Sequence, residues 1–597
     1  MNRENLRKIY KISKFTLFPL ILLLIPFWKV NMGVDIADTT YSLGNYRDFG
    51  QVRNIWNLLT FIPSALGHLL TKLPFGNTML GFNIYVSVLI SLMALTGYRF
   101  FMTKMPGWLA FLSQLAVLGM CWAPRSVLYH YLTYFLLLFT SILIFRGLAG
   151  TNRTYCLFIA GVLVGLNTFV KFPGNVLHAA LIIAVWFYGL ITEKDFSDVF
   201  KETLLCIAGF IASFLLMILI ISVSFGSDSF LMMINGTLGI AGSNSEYTMG
   251  QMILAIADAY LHGFKWAIYM ILCILPGIPF FVLWPGKMIK VRKIVYCLCI
   301  AFLFFVLGRW GMYNFKFYQK DSALQWGAIF LLLSIGVDIW MLFTKQINND
   351  WKLIGMLSLL NILILPLGSN NHIWPILNSL FFIAPVTFWM IYRFVRWGRA
   401  YMDETQKVPV FAVKAMSAGV VIAFFAVSLG LCACYVFMDG EDGYPRNRYI
   451  TDNAVLNGMK TTEWNAAELS ELSAFVKTGS EEFSDRNLLL YGNIPGLCYA
   501  LDRRSALSTT WPDLDSYPVE TMEKELEDLS MKIYADSYHP SKSAPLIITS
   551  SRNVSDTKNA VRKKEMIEQF IADHRYEEIY SNNGYSVYVI TADSAGN

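Results

Sequence analysis

The chain has 597 residues, of which 55% are apolar and 15% aromatic while only 15% carry charge, against about 25% charged in a soluble domain. A mean hydropathy of +0.48 over that length requires long stretches almost free of charge, which excludes an ordinary soluble enzyme and reads as a polytopic membrane protein. The net charge of +6 is small and dispersed, so nucleic acid is not a predicted partner and the lipid bilayer is.

A window of about 20 residues predicts roughly 13 membrane spans, near residues 14–31, 79–102, 105–122, 127–148, 154–170, 173–192, 202–224, 263–285, 293–310, 323–344, 352–368, 372–395 and 410–437. No signal-peptide cleavage pattern follows the first run, which is therefore expected to remain as an anchor. The pairs meeting near Lys104 and Lys171 have connections short enough for broken or re-entrant helices. The segment NRENLRKIYKISK carries five bases and one acid, placing the N-terminus in the cytoplasm of a cell membrane. Basic clusters at Lys287, Lys290, Arg292 and Lys293, and at Arg393, Arg396 and Arg399, then fall on the same inner face. An odd number of spans sends the C-terminus to the outer face. Between the first two spans, Arg53 to Leu73 shows helical spacing of apolar residues and reads as an interfacial or loop helix.

Residues 438–597 differ from the rest: charges are frequent and no run is long enough to span. They are read as an extracytoplasmic α/β domain after a membrane domain of residues 1–437. Helices are predicted near 464–477 and 558–573, and strands in NLLLYG, PLIITS and YSVYVI, with Asn583-Gly584 as a hairpin turn. The stretch GNIPG after the first strand lacks the Lys and spacing of a phosphate loop and reads as a turn into a helix. All nine cysteines except Cys498 lie in or beside apolar runs, so no disulfide framework is expected.

Polar residues collect at the predicted outer ends of spans. The first outer loop holds Asp35, Asp38, Tyr41, Asn45, Tyr46, Arg47 and Asp48, and the second holds Arg125, Tyr129 and His130. Lys171 and Asn175 follow, then Ser243, Asn244, Glu246 and Tyr247 in a long loop. The last two groups are Arg309, Tyr313, Lys316, Lys320 and Asp321, and then Asn370, Asn371 and His372. Bases neutralise phosphate, amides bind hydroxyls, rings cover a sugar face, and a carboxylate accepts a proton, so the set suits a sugar phosphate. No His or Cys pair has zinc spacing; a divalent cation on Asp and Glu oxygens is left open.

The stretch VDIADTTYSLGNY, following the first span, resembles the first outer loop of the GT-C glycosyltransferases, which include protein O-mannosyltransferases, aminoarabinose transferases and Rgt-type enzymes. FVKFPGN at 169–175 and PLGSNN at 366–371 also resemble loops of these transferases. Many members have Asp-Glu where this chain has Asp38-Thr39. The resemblance implies a GT-C-like helical bundle that moves a sugar from a polyprenyl phosphate to an extracytoplasmic acceptor hydroxyl. Asp38 would be the general base, with Asp35 as the other candidate. Lys171, Arg309, Arg125 and Lys316 would bind the donor phosphate. Tyr41, Asn45, Tyr46, His130, Asn175, Glu246, Asn370, Asn371 and His372 would contact substrate. For each there is a plainer role: Asp38 as a helix-cap acid, the bases as snorkelling helix ends, the histidines as local hydrogen-bond partners. Two other classes compete, a glycan polymerase or ligase and a transporter. The acid-bearing loop directly after the first span disfavours the former; the lack of internal repeats, with charges at outer span ends, disfavours the latter.

Overall fold

The computed structural model describes residues 3–50, 55–150, 154–242, 249–283, 288–314, 316, 319–367, 371–405, 412–437, 439, 445–478, 486–514, 517–535, 544–550 and 557–590. Every predicted span contains helix. The first is α1 (Glu4–Phe27), which starts ten residues before the predicted run because its basic turns are also helical. After α2 (Asp38–Arg47), α3 (Ile55–Leu59) and α4 (Phe61–Thr71) come α5 (Met79–Phe101), α6 (Gly107–Gly119), α7 (Leu128–Ala149), α8 (Tyr155–Thr168) and α9 (Gly174–Ile191). The bundle continues with α10 (Phe196–Phe225), α11 (Ser229–Gly242), α12 (Met249–Ile274), α13 (Ile289–Arg309), α14 (Lys320–Phe343) and α15 (Asn349–Ile364). It closes with α16 (Trp374–Asn378), α17 (Ile383–Thr405) and α18 (Val413–Cys434).

Among the described residues nine helices are long and apolar enough to cross a membrane. Four predicted spans fall outside that set. Helices α6 and α8 have 13 and 14 residues, or about 20 Å of rise against a hydrocarbon core of about 30 Å. Helix α15 has 16 residues, and α17 mixes apolar residues with the basic run at its end. The segment predicted as 372–395 is broken into α16 and α17.

Small residues let α8 and α10 approach closely. A Cβ on Gly161 would lie 2.0 Å from the Cys206 carbonyl oxygen, and one on Gly209 would lie 2.1 Å from that of Phe158, the close backbone packing that drives helix association without a hydrophobic gradient. The predicted loop helix in 53–73 is realised as α3 and α4, with Leu58, Leu59, Phe61 and Pro63 buried. It packs on the bundle.

The C-terminal unit is α/β. It comprises β1 (Arg448–Tyr449), β2 (Lys460–Thr461), α19 (Glu463–Thr478), β3 (Leu488–Tyr491), α20 (Leu497–Ala500), α21 (Val519–Ala535), β4 (Leu546–Thr549), α22 (Lys558–Asp573), β5 (Glu577–Ser581) and β6 (Ser586–Val589). Its main sheet runs β3-β4-β6-β5, with β3 and β4 parallel and the other pairs antiparallel. Alternate residues face opposite ways: Leu488, Leu490, Ile548 and Val587 join a core continuous with the bundle, whereas Leu489, Tyr491 and Ile547 pack with residues of α21 and α22. The β5–β6 turn is closed by Asn582, whose Oδ1 accepts from the amides of Gly584 and Tyr585 at 3.0 and 2.9 Å.

This unit is joined to the loop after α1. Lys460 bonds to that loop through its backbone, its N–H donating to Asn31 O at 2.7 Å and its carbonyl accepting from Gly33 N at 2.8 Å. The amide of Gly496 donates to Ile36 O at 2.8 Å, and a Cβ there would overlap Thr40. Asp439, fully buried, accepts from Val34 N (2.9 Å), Thr461 Oγ1 (2.5 Å) and Asn465 Nδ2 (3.0 Å) and pairs with Arg446 at 3.4 Å. The first loop and the C-terminal unit therefore share one face of the bundle.

Candidate functional site

Two acids open helix α2, and their surroundings differ. Asp35 is buried and acts as the cap: its Oδ1 accepts from Ala37 N at 2.8 Å and its Oδ2 from both Thr39 N and Thr39 Oγ1 at 2.9 Å. Those bonds occupy the Thr39 amide of the first turn, the usual work of an Asp at a helix start. Burial, and next the negative charge of Asp38, push its carboxyl up to about 7. Asp38, the first helical residue, is half-buried, and no described group hydrogen-bonds its carboxylate. Burial raises its pKa, and the charge of Lys320 opposes that rise.

Lys320 opens α14, and its ammonium lies 4.9 Å from the ring centroids of both Trp122 and Trp374. The two indoles meet edge to face at 4.7 Å. Asn378 fixes them: its Oδ1 accepts from Trp122 N and Ala123 N at 3.1 Å, and its Nδ2 donates to Trp374 O at 3.0 Å. Cation–π contact on two faces holds the ammonium in place.

Trp122 also lines a cavity of about 120 Å³ with Lys29, Asp35, Thr39, Asn83 and Arg125. Lys29 Nζ donates to the carbonyls of Ala433 and Tyr435 at 2.9 and 3.0 Å, where α18 ends. Arg125 Nη2 donates to Pro26 O at 2.9 Å. Burial lowers the pKa of both bases. Two buried donors of this wall, Arg125 Nε and Trp122 Nε1, have no hydrogen-bond acceptor among the described residues. A cavity with two cations and two unused donors suits an anionic oxygen ligand.

The other predicted residues are distributed around this site. Tyr41 packs edge to face on Trp511 of the C-terminal unit at 5.2 Å, and Asn45 is half-buried on the same helix. Tyr46 is buried with its hydroxyl donating to Ser126 O at 2.8 Å and accepting from Leu128 N at 3.2 Å, so it ties α2 to α7. Lys171 lies between α8 and α9, where burial brings it down to about 8. Asn175 beside it is buried, its Nδ2 bonded to Thr133 Oγ1 at 2.8 Å and Asn167 Oδ1 at 3.0 Å. His130 is bonded to Tyr134 OH at 3.3 Å through Nδ1 and packs on Tyr129. Arg309 and Lys316 are exposed and do not line the cavity. Asn371 and His372 are exposed in the turn before α16, where Asn371 O accepts from Trp374 N at 3.0 Å. Glu246 and Asn370 lie outside the described residues.

Lys29, Trp122, Trp374 and Lys320 were not assigned roles from sequence; only Lys320 stood in a flagged outer cluster. Asp338 also corrects the expectation that charges keep to outer span ends, since it is fully buried toward the far end of α14 with Ser358 as a polar neighbour. In GNIPG the amides of Gly492 and Asn493 donate to Asp513 Oδ2, so a carboxylate fills the place an anion would take. Among the described residues no three His, Cys, Asp or Glu side chains gather to hold a metal.

No family model and no curated protein matches the chain. Two solved structures align with nearly all of it. One is ArnT from Cupriavidus metallidurans bound to undecaprenyl phosphate, with 12% identity, 98% of this chain and 99% of that one covered, and a TM-score of 0.43. The other is the Archaeoglobus fulgidus oligosaccharyltransferase in complex with zinc and sulfate, with 13% identity, 96% of this chain and 72% of that one covered, and a TM-score of 0.46.

Proposed function

We propose that this protein is a GT-C-type membrane glycosyltransferase that moves a sugar from a polyprenyl phosphate to an acceptor hydroxyl on the outer face of the cell membrane. The cavity carries this reading: two half-buried cations and two buried donor atoms without acceptors among the described residues stand beside an acid-bearing loop at one face of a helical bundle. Residues 1–437 form the membrane part and residues 438–597 the extracytoplasmic part, with the N-terminus in the cytoplasm.

The chemistry needs one base and no partner acid. The acceptor oxygen attacks the anomeric carbon while the bond from that carbon to the phosphate oxygen breaks, and the electron pair leaves on the phosphate. Asp38 takes the acceptor proton. A phosphate is already a stable anion, so the paired carboxylates of a glycoside hydrolase are unnecessary. Arg125, Lys29 and the Trp122 indole N–H hold the leaving phosphate, each well-placed donor contributing about 3 kcal/mol to the transition state. The charge of Lys320 favours the Asp38 carboxylate against the effect of burial. Asp35 shapes the helix start that aims it.

Purified protein incubated with radiolabelled polyprenyl-phosphate sugars and a crude cell-surface extract is expected to release free polyprenyl phosphate. Arg125→Gln should lower that release about a hundredfold while the protein stays folded. Equal release by wild type and Arg125→Gln would remove the cavity from the reaction.

A further inference from the structure

A second cavity, of about 900 Å³, lies on the C-terminal unit, at the upper end of the size range of ligand clefts. Its walls are β1 and the following loop to residue 458, the last turns of α19, and residues 500–503 at the end of α20. The cleft is preformed. Asn453 Nδ2 donates to Ala500 O at 2.6 Å and to Ser473 Oγ at 3.2 Å, joining all three walls. Val455 O accepts from Met79 N at 2.9 Å, which fixes the loop to the first turn of α5, the second predicted span.

The lining limits the ligand. The lining carries Asp452 and Asp502 with Lys477 and Arg503, so the formal charges cancel; Asn457 adds an amide, and Tyr449 offers an exposed ring with the Lys460 ammonium 5.1 Å from its centroid. A strongly anionic or cationic ligand would meet a like charge on one wall, and a lipid chain would strand the polar groups. Sugar hydroxyls both donate and accept, matching carboxylates, amides and cations together, while the apolar face of a sugar ring packs on an aromatic side chain.

The cleft is also connected to the proposed site. Asp502, on its rim, pairs with Arg47 at 2.8 Å, and Arg47 ends the helix that Asp38 begins. At 1.5 Å per residue the two ends of α2 are about 14 Å apart, within reach of a short oligosaccharide.

We infer that this cleft holds the acceptor and that the acceptor is a neutral oligosaccharide, whose terminal hydroxyl meets Asp38 while its earlier sugars occupy the cleft. This rests on the transferase reading and narrows it to a glycan acceptor. The test applies full-length protein in detergent to an array of neutral linear oligosaccharides, namely trimers of glucose, mannose, galactose and N-acetylglucosamine. The wild type should retain at least one class, and Tyr449→Ala and Asn457→Ala, both at exposed positions, should each weaken retention about tenfold. Asp38→Asn should bind within about twofold of wild type, because the base lies outside the cleft. In turnover the cleft variants should raise the acceptor KM and leave kcat in place. Wild type that releases polyprenyl phosphate with the surface extract yet retains no trimer overturns the cleft assignment and leaves the transferase reading standing. Retention unchanged in both cleft variants also overturns it. Trimer binding without polyprenyl phosphate release from any donor overturns the acceptor role and the transferase reading together.

Discussion

Asp35 and Asp38 stand on the same helix start, and only their surroundings separate them. From sequence both were candidate bases, since spacing alone cannot say which carboxylate turns back to cap the backbone. Asp35 has three hydrogen bonds from its own turn, whereas the Asp38 carboxylate has none from the described residues. The raised pKa of Asp35 has a consequence for stability. An unfolded Asp loses its proton near 3.9, and the folded group keeps it up to about 7, so the native state binds more protons between those values and stability falls as pH rises through them. Thermal unfolding in detergent should show this decline from about pH 4 to pH 7 in wild type, and a shallower one in Asp35→Asn. The same slope in both proteins would mean that Asp35 does not titrate there. Lys320 gives a second prediction. Its charge favours the Asp38 carboxylate, so Lys320→Ala should raise the pKa of the base, shift the acidic limb of the kcat/KM profile to higher pH and lower turnover about tenfold or more. An unmoved acidic limb would break the link between the two residues.

At the level of elements, the sequence was most informative where one physical requirement dominates. A run of apolar residues long enough to span admits few alternatives to a helix, so all the predicted spans contain one, and short apolar runs placed three of the four main strands, two of them buried along nearly their whole length. Strand β5, with the pattern EEIYS, is mostly exposed or half-buried and has no alternation to reveal it; β6 and the Asn582 turn impose it. Helix α21 was missed as well, its Glu and Lys residues masking a single apolar edge. Four cavity and clamp residues, Lys29, Trp122, Lys320 and Trp374, come from ends of elements far apart in the chain, so no local pattern joins them. Packing of α8 on α10 is directly testable. Gly209→Val would drive its side chain into the backbone of Phe158, and overpacking of this kind costs about 1–3 kcal/mol. The melting temperature in detergent should fall, and an unchanged one would mean that the helices can separate freely.

Across the whole molecule, the first loop and the C-terminal unit are joined by backbone and side-chain hydrogen bonds. Asp439 links them, its buried carboxylate bonded to Val34 on one side and to Thr461, Asn465 and Arg446 on the other. Asp439→Ala removes the acceptor of Val34 N, Thr461 Oγ1 and Asn465 Nδ2, and a buried donor left unsatisfied costs about 1–3 kcal/mol, so the change should lower stability and turnover together. Loss of neither would show that the loop holds its shape alone. The shared face also bears on topology. Lys477 lies on the C-terminal unit and Lys345 follows the opposite end of α14 from Lys320. In a background with the native cysteines replaced, a membrane-impermeant maleimide should label Lys477→Cys in intact cells and Lys345→Cys only after lysis. The reverse pattern would invert the proposed orientation.

The central claim is that Asp38 acts as the base while the cavity holds the donor phosphate, and it is tested by measuring turnover and donor binding on the same Asp38→Asn protein. Release of polyprenyl phosphate should fall by about 10²–10⁴, with polyprenyl phosphate bound within about twofold of the wild-type affinity. Turnover retained in Asp38→Asn, or lost only in parallel with donor binding, would contradict that division of labour.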